Sequence, residues 1–225
     1  MKYIIMCGGN SIHWDSPRQL LKICRETIVE RTIRLLRENG ITDIAISSNN
    51  PLFENFGVPV LHHNNDYISA GYNQCKGGHW CDCFYPMDEP ACYLHGDVVF
   101  SMAAIRTIIN TQTDDIIFFG SAPPFSNIYP KPYIEPFAFK VVNQAHLHQA
   151  VADVKRLEAE GRFNRQPIAW EAWNVISRGP DGDVNAVDLN SYVHINDYTC
   201  DIDHPNEKEL FSTLAIAIME EAGRE

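Results

Sequence analysis

Asp97 follows Gly96 at the end of an apolar run, "ACYLHGDVVF", residues 91–100. A carboxylate at a strand tip can hold Mg²⁺ against a phosphate. The same Gly-Asp pair is also an ordinary way to begin a turn ahead of a helix. A second acidic stretch, "DYTCDIDHPNEKEL" at 197–210, places Asp201 and Asp203 on either side of Ile202. In extended chain both carboxylates project to one side. Asp203 also suits a helix cap with Pro205 in the first turn. Asp201 lies too far upstream to cap and is the better ligand candidate. Asp97, Asp201 and Asp203 are thus the candidate Mg²⁺ ligands, with phosphate oxygens and water completing the shell.

The third stretch is "YIIMCGGNSIHWDSPRQLL", residues 3–21. A strand that runs into two glycines, Gly8 and Gly9, can bring backbone N–H groups up to a phosphate. The loop has no second spaced glycine and no early arginine. Arg18, beside Pro17, is the first arginine after it.

Two further groups have chemical potential and a plainer explanation beside it. Cys75, His79, Cys81 and Cys83 cluster in "CKGGHWCDC". Their spacing is not that of a zinc finger or ribbon, and scattered buried thiols are the expectation. In "PIAWEAWNVI", Pro167 to Ile176, Trp170 and Trp173 share a helical face. That suits packing in a core or between subunits.

The whole chain bounds these options. Its 225 residues are 45% apolar, enough for one sizeable core, and a single domain over 1–225 is expected. A net charge of −11 repels nucleic-acid backbones. No apolar run approaches the roughly 20 residues that span a bilayer, and the N-terminal apolar stretch is too short for a secretory signal. Seven cysteines in no disulfide-like framework imply reduced thiols and a cytoplasmic setting.

The elements that must position the candidates alternate between strand and helix. Strands are expected at Lys2–Met6, Asp43–Ser47, Val58–His62, Ala91–His95 and Asp115–Gly120, with extended chain over 133–142. A helix is expected at Thr27–Asn39, with a Thr27/Glu30 capping box and Gly40 at its end. Others should run from Ser101 to about Asn110, from His146 to Gly161, and from about Pro205 to Glu221. Residues 62–90 form an irregular excursion. The alternation predicts an α/β fold: a mainly parallel central sheet with helices on both faces. Ligands bind at the carboxyl ends of such strands, and Met6, His95 and the segment from Ile195 to Asp201 all lead into such ends.

Taken in order, these stretches resemble the nucleotidyltransferases of the GT-A-like fold, which include sugar-phosphate nucleotidylyltransferases and small cytidylyltransferases. That family opens with L-x-x-G-x-G-x-R and P-K-x-L. It continues with AGI-x-D-I, a central G-D-x-x-F and a late D-x-D-T-P-E-D-L. Here the counterparts are "IIMCGG", "PRQLL", "IVERTIRLLRENGITDIAIS", "LHGDVVFS" and "CDIDHPNEKEL", spanning nearly the whole chain. The resemblance implies transfer of a nucleoside monophosphate from an NTP to a sugar phosphate or phospho-alcohol, with loss of pyrophosphate. It implies that Met6, Cys7, Gly8, Gly9 and Asn10, with Arg18 and Gly96, bind the nucleotide, and that Asp97 and Asp201 hold Mg²⁺. Arg18 stands where the family has a catalytic lysine; it keeps the charge and replaces a point charge by a planar fork. "YPKPYIEPFAFK" resembles the family's E-K-P segment and puts Lys131 and Glu135 near the acceptor, and the resemblance, which places acceptor contacts after that strand, makes Trp170 and Glu171 candidates to line the acceptor pocket. A homodimer is compatible with the sequence. A GT-A glycosyltransferase is the rival, disfavoured because His95 stands where its first D-x-D aspartate would be; a catalytically weak nucleotide-binding relative is the other.

Overall fold

Alternation within the first strand decides the layering. Tyr3 and Ile5 point into one buried cluster and Ile4 and Met6 into another, so the strand is covered on both faces. The computed structural model describes residues 1–8, 15–63, 80–121, 134–186, 188–202 and 208–223. Along the chain these give β1 (Lys2–Met6), a hairpin of β2 (Lys22–Ile23) and β3 (Glu26–Thr27), α1 (Ile28–Glu38), β4 (Ile44–Ser47), β5 (Val60–Leu61), β6 (Ala91–His95), β7 (Val98–Val99) and α2 (Met102–Asn110). There follow β8 (Ile116–Gly120), β9 (Pro136–Val141), α3 (Gln144–Ala159), α4 (Ala169–Arg178), β10 (Val193–His194), β11 (Cys200–Asp201) and α5 (Lys208–Ala222). None of the described helices is long and apolar enough to cross a membrane.

Seven strands form one sheet in the order β10-β8-β9-β6-β1-β4-β5. The β1–β4, β1–β6, β4–β5 and β8–β10 pairs are parallel, and β9 runs antiparallel to both β6 and β8. The mainly parallel α/β fold is therefore as expected, with one reversed strand inside it. One face is covered by α1, α2 and α5, through residues such as Val29, Ile105 and Leu214. The other is covered by α3 and α4, through Leu147, Val154, Trp170 and Trp173.

The local signals act as anticipated. Glu30 N–H donates to Thr27 Oγ1 at 3.2 Å, and Thr27 N–H donates to Glu30 Oε2 at 2.7 Å, closing the capping box of α1. Gly40 ends the helix at φ +79°. Ser101 Oγ accepts from Ala104 N–H at 2.8 Å and starts α2. Helix α3 begins two residues earlier than expected, because Asn143 caps it by accepting from His146 N–H at 3.1 Å.

Candidate active site

β1 and β6 lie side by side and end together, Met6 opposite His95. Just beyond, Gly96 N–H donates to Met6 O at 3.1 Å. A Cβ on Gly96 would lie 2.5 Å from Met6 O and 2.8 Å from Cys7 Sγ, so the close approach of the two strand ends requires glycine here. Cys7 is buried, and burial, with Asp97 adding to it, pushes its thiol pKa well up. Gly8 is half-buried at this edge, whereas Gly9 and Asn10 lie outside the described residues.

From Gly96 the chain turns through Asp97 into β7. β7 pairs antiparallel with β11, Val98 opposite Asp201 and Val99 opposite Cys200. The two expected aspartates therefore sit at neighbouring positions of one short ribbon. Arg18 reaches it from a single 3-10 turn, Arg18–Leu20. Its Nη2 lies 2.5 Å from Asp97 Oδ2, and its Nη1 donates to the Ile202 carbonyl at 3.0 Å. One planar guanidinium thus joins this turn to Asp97, ahead of β7, and to Ile202, after β11, a two-pronged contact that the ammonium of a lysine would not reproduce. Asp203 lies outside the described residues. Among the described residues no three His, Cys, Asp or Glu side chains converge as a metal site. Two hard carboxylates, Asp97 and Asp201, still match what Mg²⁺ takes from a protein when substrate phosphates and water supply the other ligands.

Glu135 lies at the same edge of the sheet, just ahead of β9, whose Ala138 pairs with Leu94 of β6. It is buried, at 1% exposure. Its carbonyl accepts from Ser121 N–H at 3.0 Å, and Tyr192 Oη donates to Ser121 O at 3.1 Å. Lys131 lies outside the described residues. Trp170 and Glu171 are found in α4. Trp170 packs on Phe118 and Tyr192, with its indole N–H directed to Ala186 O at 3.3 Å. Glu171 accepts from Ile168 N–H at 3.1 Å and pairs with Arg165 at 2.6 Å. Trp170 thus takes part in core packing and Glu171 in capping its helix. Cys81 and Cys83 are buried free thiols, and Cys75 and His79 are outside the described residues.

Sequence reasoning did not single out Arg31, which supports the ribbon from below. It is buried in α1 and donates to Phe100 O at 3.0 Å, Tyr198 Oη at 2.7 Å and Glu221 Oε2 at 2.9 Å. Ser101 Oγ donates to Asp197 at 2.5 Å, and Ser101 N–H donates to Thr199 Oγ1 at 3.0 Å. These bonds hold the chain just after β7 and just ahead of β11. A signal was present: Arg31 is three residues from Ile28 and four from Leu35, on the buried face of an amphipathic helix. His95, read only as a departure from D-x-D, packs beside Trp80 and Phe139 at ring distances of 5.5 and 6.5 Å. Burial brings its pKa down to about 4.

Residues 3–156, more than half of the 225-residue chain, match the model of the MobA-like NTP transferase domain family. No curated protein matches the chain by sequence. Among solved structures, a protein from Bacillus anthracis provisionally described as a glucose-1-phosphate thymidylyltransferase superposes with a TM-score of 0.54 at 15% identity, covering 96% of this chain and 94% of its own. The CTP:phosphocholine cytidylyltransferase of Streptococcus pneumoniae gives 0.51 at 17% identity, covering 95% of this chain and 98% of its own. The inositol-1-phosphate CTP transferase of T. maritima gives 0.50 at 15%, covering 95% and 94%. At these identities the likeness is one of fold.

Proposed function

The chain belongs to the MobA-like NTP transferases, a family of nucleotidyltransferases, and on that premise we propose that it moves a nucleoside monophosphate from an NTP onto a sugar phosphate or phospho-alcohol, releasing pyrophosphate. The observation that carries this reading is the Arg18 contact to Asp97 and to the Ile202 carbonyl, which brings the Arg18 turn, Asp97 and the residue after Asp201 together at one edge of the sheet. An oxygen of the acceptor phosphate attacks the α-phosphorus in line; the new P–O bond forms as the bond to the pyrophosphate oxygen breaks. Nothing in this step needs a covalent enzyme intermediate, so the protein's task is positioning and charge neutralisation.

In this reading the backbone from Met6 to Gly9 and at Gly96 approaches the nucleotide, and Arg18 neutralises the transferred phosphate. Asp97 and Asp201, with Asp203, would hold Mg²⁺, which supplies positive charge to the triphosphate when bound. Lys131 and Glu135 would contact the acceptor, and Trp170 and Glu171 are the candidates to line its pocket. The described cysteines are free thiols, which supports a cytoplasmic setting.

An NTP labelled at the α-phosphate, incubated with Mg²⁺ and a pool of sugar phosphates, phosphocholine and inositol phosphate, tests the reading. Acceptor-dependent appearance of label in a diphosphate diester supports it. Turnover of UDP-sugars with no NTP reaction would overturn it in favour of a glycosyltransferase. The closed Arg18–Asp97 pair favours one second reading, a nucleotide-binding relative whose two key charges satisfy each other; tight NTP binding without turnover on any acceptor would select it.

A further inference from the structure

The last residues of three adjacent parallel strands form a row. Met6 of β1 is in register with Ser47 of β4 on one side and with His95 of β6 on the other. Register partners in parallel strands project to the same face. That face is the one where Ile4, Met6 and Tyr93 meet α3 and α4. The side-chain oxygen of Ser47 and Nε2 of His95 are both buried, and neither has a hydrogen-bond partner among the described residues. Ser47 is 1% exposed. The His95 ring is fixed by Trp80, tilted 32° to it at 5.5 Å, and by Phe139, nearly parallel at 19°.

A buried polar atom without a partner lowers stability, and native structures keep few of them. Two in one row, at the sheet edge where α/β proteins bind ligands, call for a ligand that completes them. Strands are spaced about 4.8 Å apart, so two spacings set Ser47 and His95 about 10 Å apart. The row offers a hydroxyl and an imidazole across a methionine, beside the aromatic surface of Trp80 and Phe139. Charge is met elsewhere, at the Arg18–Asp97 corner that begins two residues past His95. A flat ligand with apolar faces and polar edges, about 10 Å long and attached to phosphate at one end, fits this description.

We propose that His95 and Ser47 are specificity residues that hydrogen-bond the nucleoside portion of the bound nucleotide, His95 toward the phosphate end and Ser47 toward the far end. This rests on the nucleotidyltransferase reading above.

The test is calorimetric binding of CTP, UTP, GTP and ATP, and of inorganic tripolyphosphate, to wild type, His95→Phe, His95→Gln and Ser47→Ala, each with Mg²⁺. His95→Phe keeps the ring stack and removes the nitrogens. Loss of one neutral hydrogen bond of about 1 kcal/mol corresponds to roughly five- to tenfold in Kd. His95→Phe and Ser47→Ala should each weaken the best-bound NTP by that factor and leave tripolyphosphate within about twofold. His95→Gln, which retains a hydrogen-bonding side chain, should recover part of the loss. Ligand-free His95→Phe should melt no lower than wild type, because it removes an unpartnered buried nitrogen. Equal weakening of NTP and tripolyphosphate, or unchanged NTP affinity, overturns the proposal while the transferase reading stands. A wild type that binds no NTP overturns both.

Discussion

Arg18 and Asp97, 79 positions apart in sequence, meet at 2.5 Å, and the same guanidinium donates to the carbonyl of Ile202 at 3.0 Å. The 3-10 turn that bears Arg18, the turn after the central strand and the segment after β11 are therefore tied through one side chain. A pair that acts as a unit gives non-additive losses. Arg18→Met and Asp97→Asn should each lower kcat/KM at least about a hundredfold, the scale of losing one transition-state charge contact. The double variant should be little worse than the poorer single one. Steady-state kinetics of the three variants would check this; losses that multiply would show that the two residues work separately.

Gly96→Ala places its methyl within 2.5 Å of a backbone oxygen that cannot move without displacing β1. Overpacking of this kind costs typically 1–3 kcal/mol. At roughly 2–4 °C per kcal/mol for a chain of this size, the melting temperature should fall by several degrees. Activity should fall further than stability, because the same shift moves Asp97. Calorimetry and kinetics on the one variant separate the two effects.

Local devices were legible in the sequence, and long-range ones were not. The Thr27/Glu30 box, Gly40 and Ser101 announce themselves within four residues, because caps and turns are closed by near neighbours. Gly96-Asp97 and Asp201 could be placed near strand ends, since an α/β sheet dictates where strand ends gather. The reversal of β9 was not visible, because its extended, apolar sequence reads the same in either direction. The Trp170/Trp173 face was legible as a packing surface, and Trp170 and Glu171 as candidate acceptor contacts. Their placement against Phe118 and Arg165 depends on tertiary contacts that periodicity does not carry. Arg31 was missed for the same reason: its partners Phe100, Tyr198 and Glu221 lie 69, 167 and 190 residues away.

Arg31 offers a direct test of the ribbon's support. Removing one partner from a buried charged network costs about 3–5 kcal/mol, since the remaining carboxylate is left without its counter-charge. Arg31→Met should lower the melting temperature by more than about 6 °C, taking about 2 °C per kcal/mol as the lower bound. Arg31→Lys, which keeps the charge but cannot fork to Phe100, Tyr198 and Glu221 together, should recover only part of it. A fall of under a degree in Arg31→Met would contradict the network's role.

His63 gives a pH signature. It is buried, edge-on to Tyr85 at 5.3 Å, and burial, opposed by Asp82, brings its pKa down from 6.5 to about 4. Between those values the unfolded chain binds a proton at His63 and the folded chain does not, so stability rises with pH across this window. Stability should therefore be full above 6.5, decline as pH drops toward 4, and gain no further contribution from this group below that. Chemical denaturation at pH 7.5, 6, 5 and 4.5 should show the decline in wild type and a shallower slope in His63→Leu. Identical slopes would remove His63 as the cause.

The central claim is that Arg18, Asp97 and Asp201 form one nucleotidyl-transfer site. Pyrophosphate release tests it most directly, measured with Mg²⁺, each of the four NTPs and a mixed pool of sugar phosphates, phosphocholine and inositol phosphate, for wild type, Asp97→Asn and Asp201→Asn. Acceptor-dependent release with one preferred NTP is expected in wild type, with a loss of at least about a hundredfold in each variant. Undiminished release in both variants would contradict it.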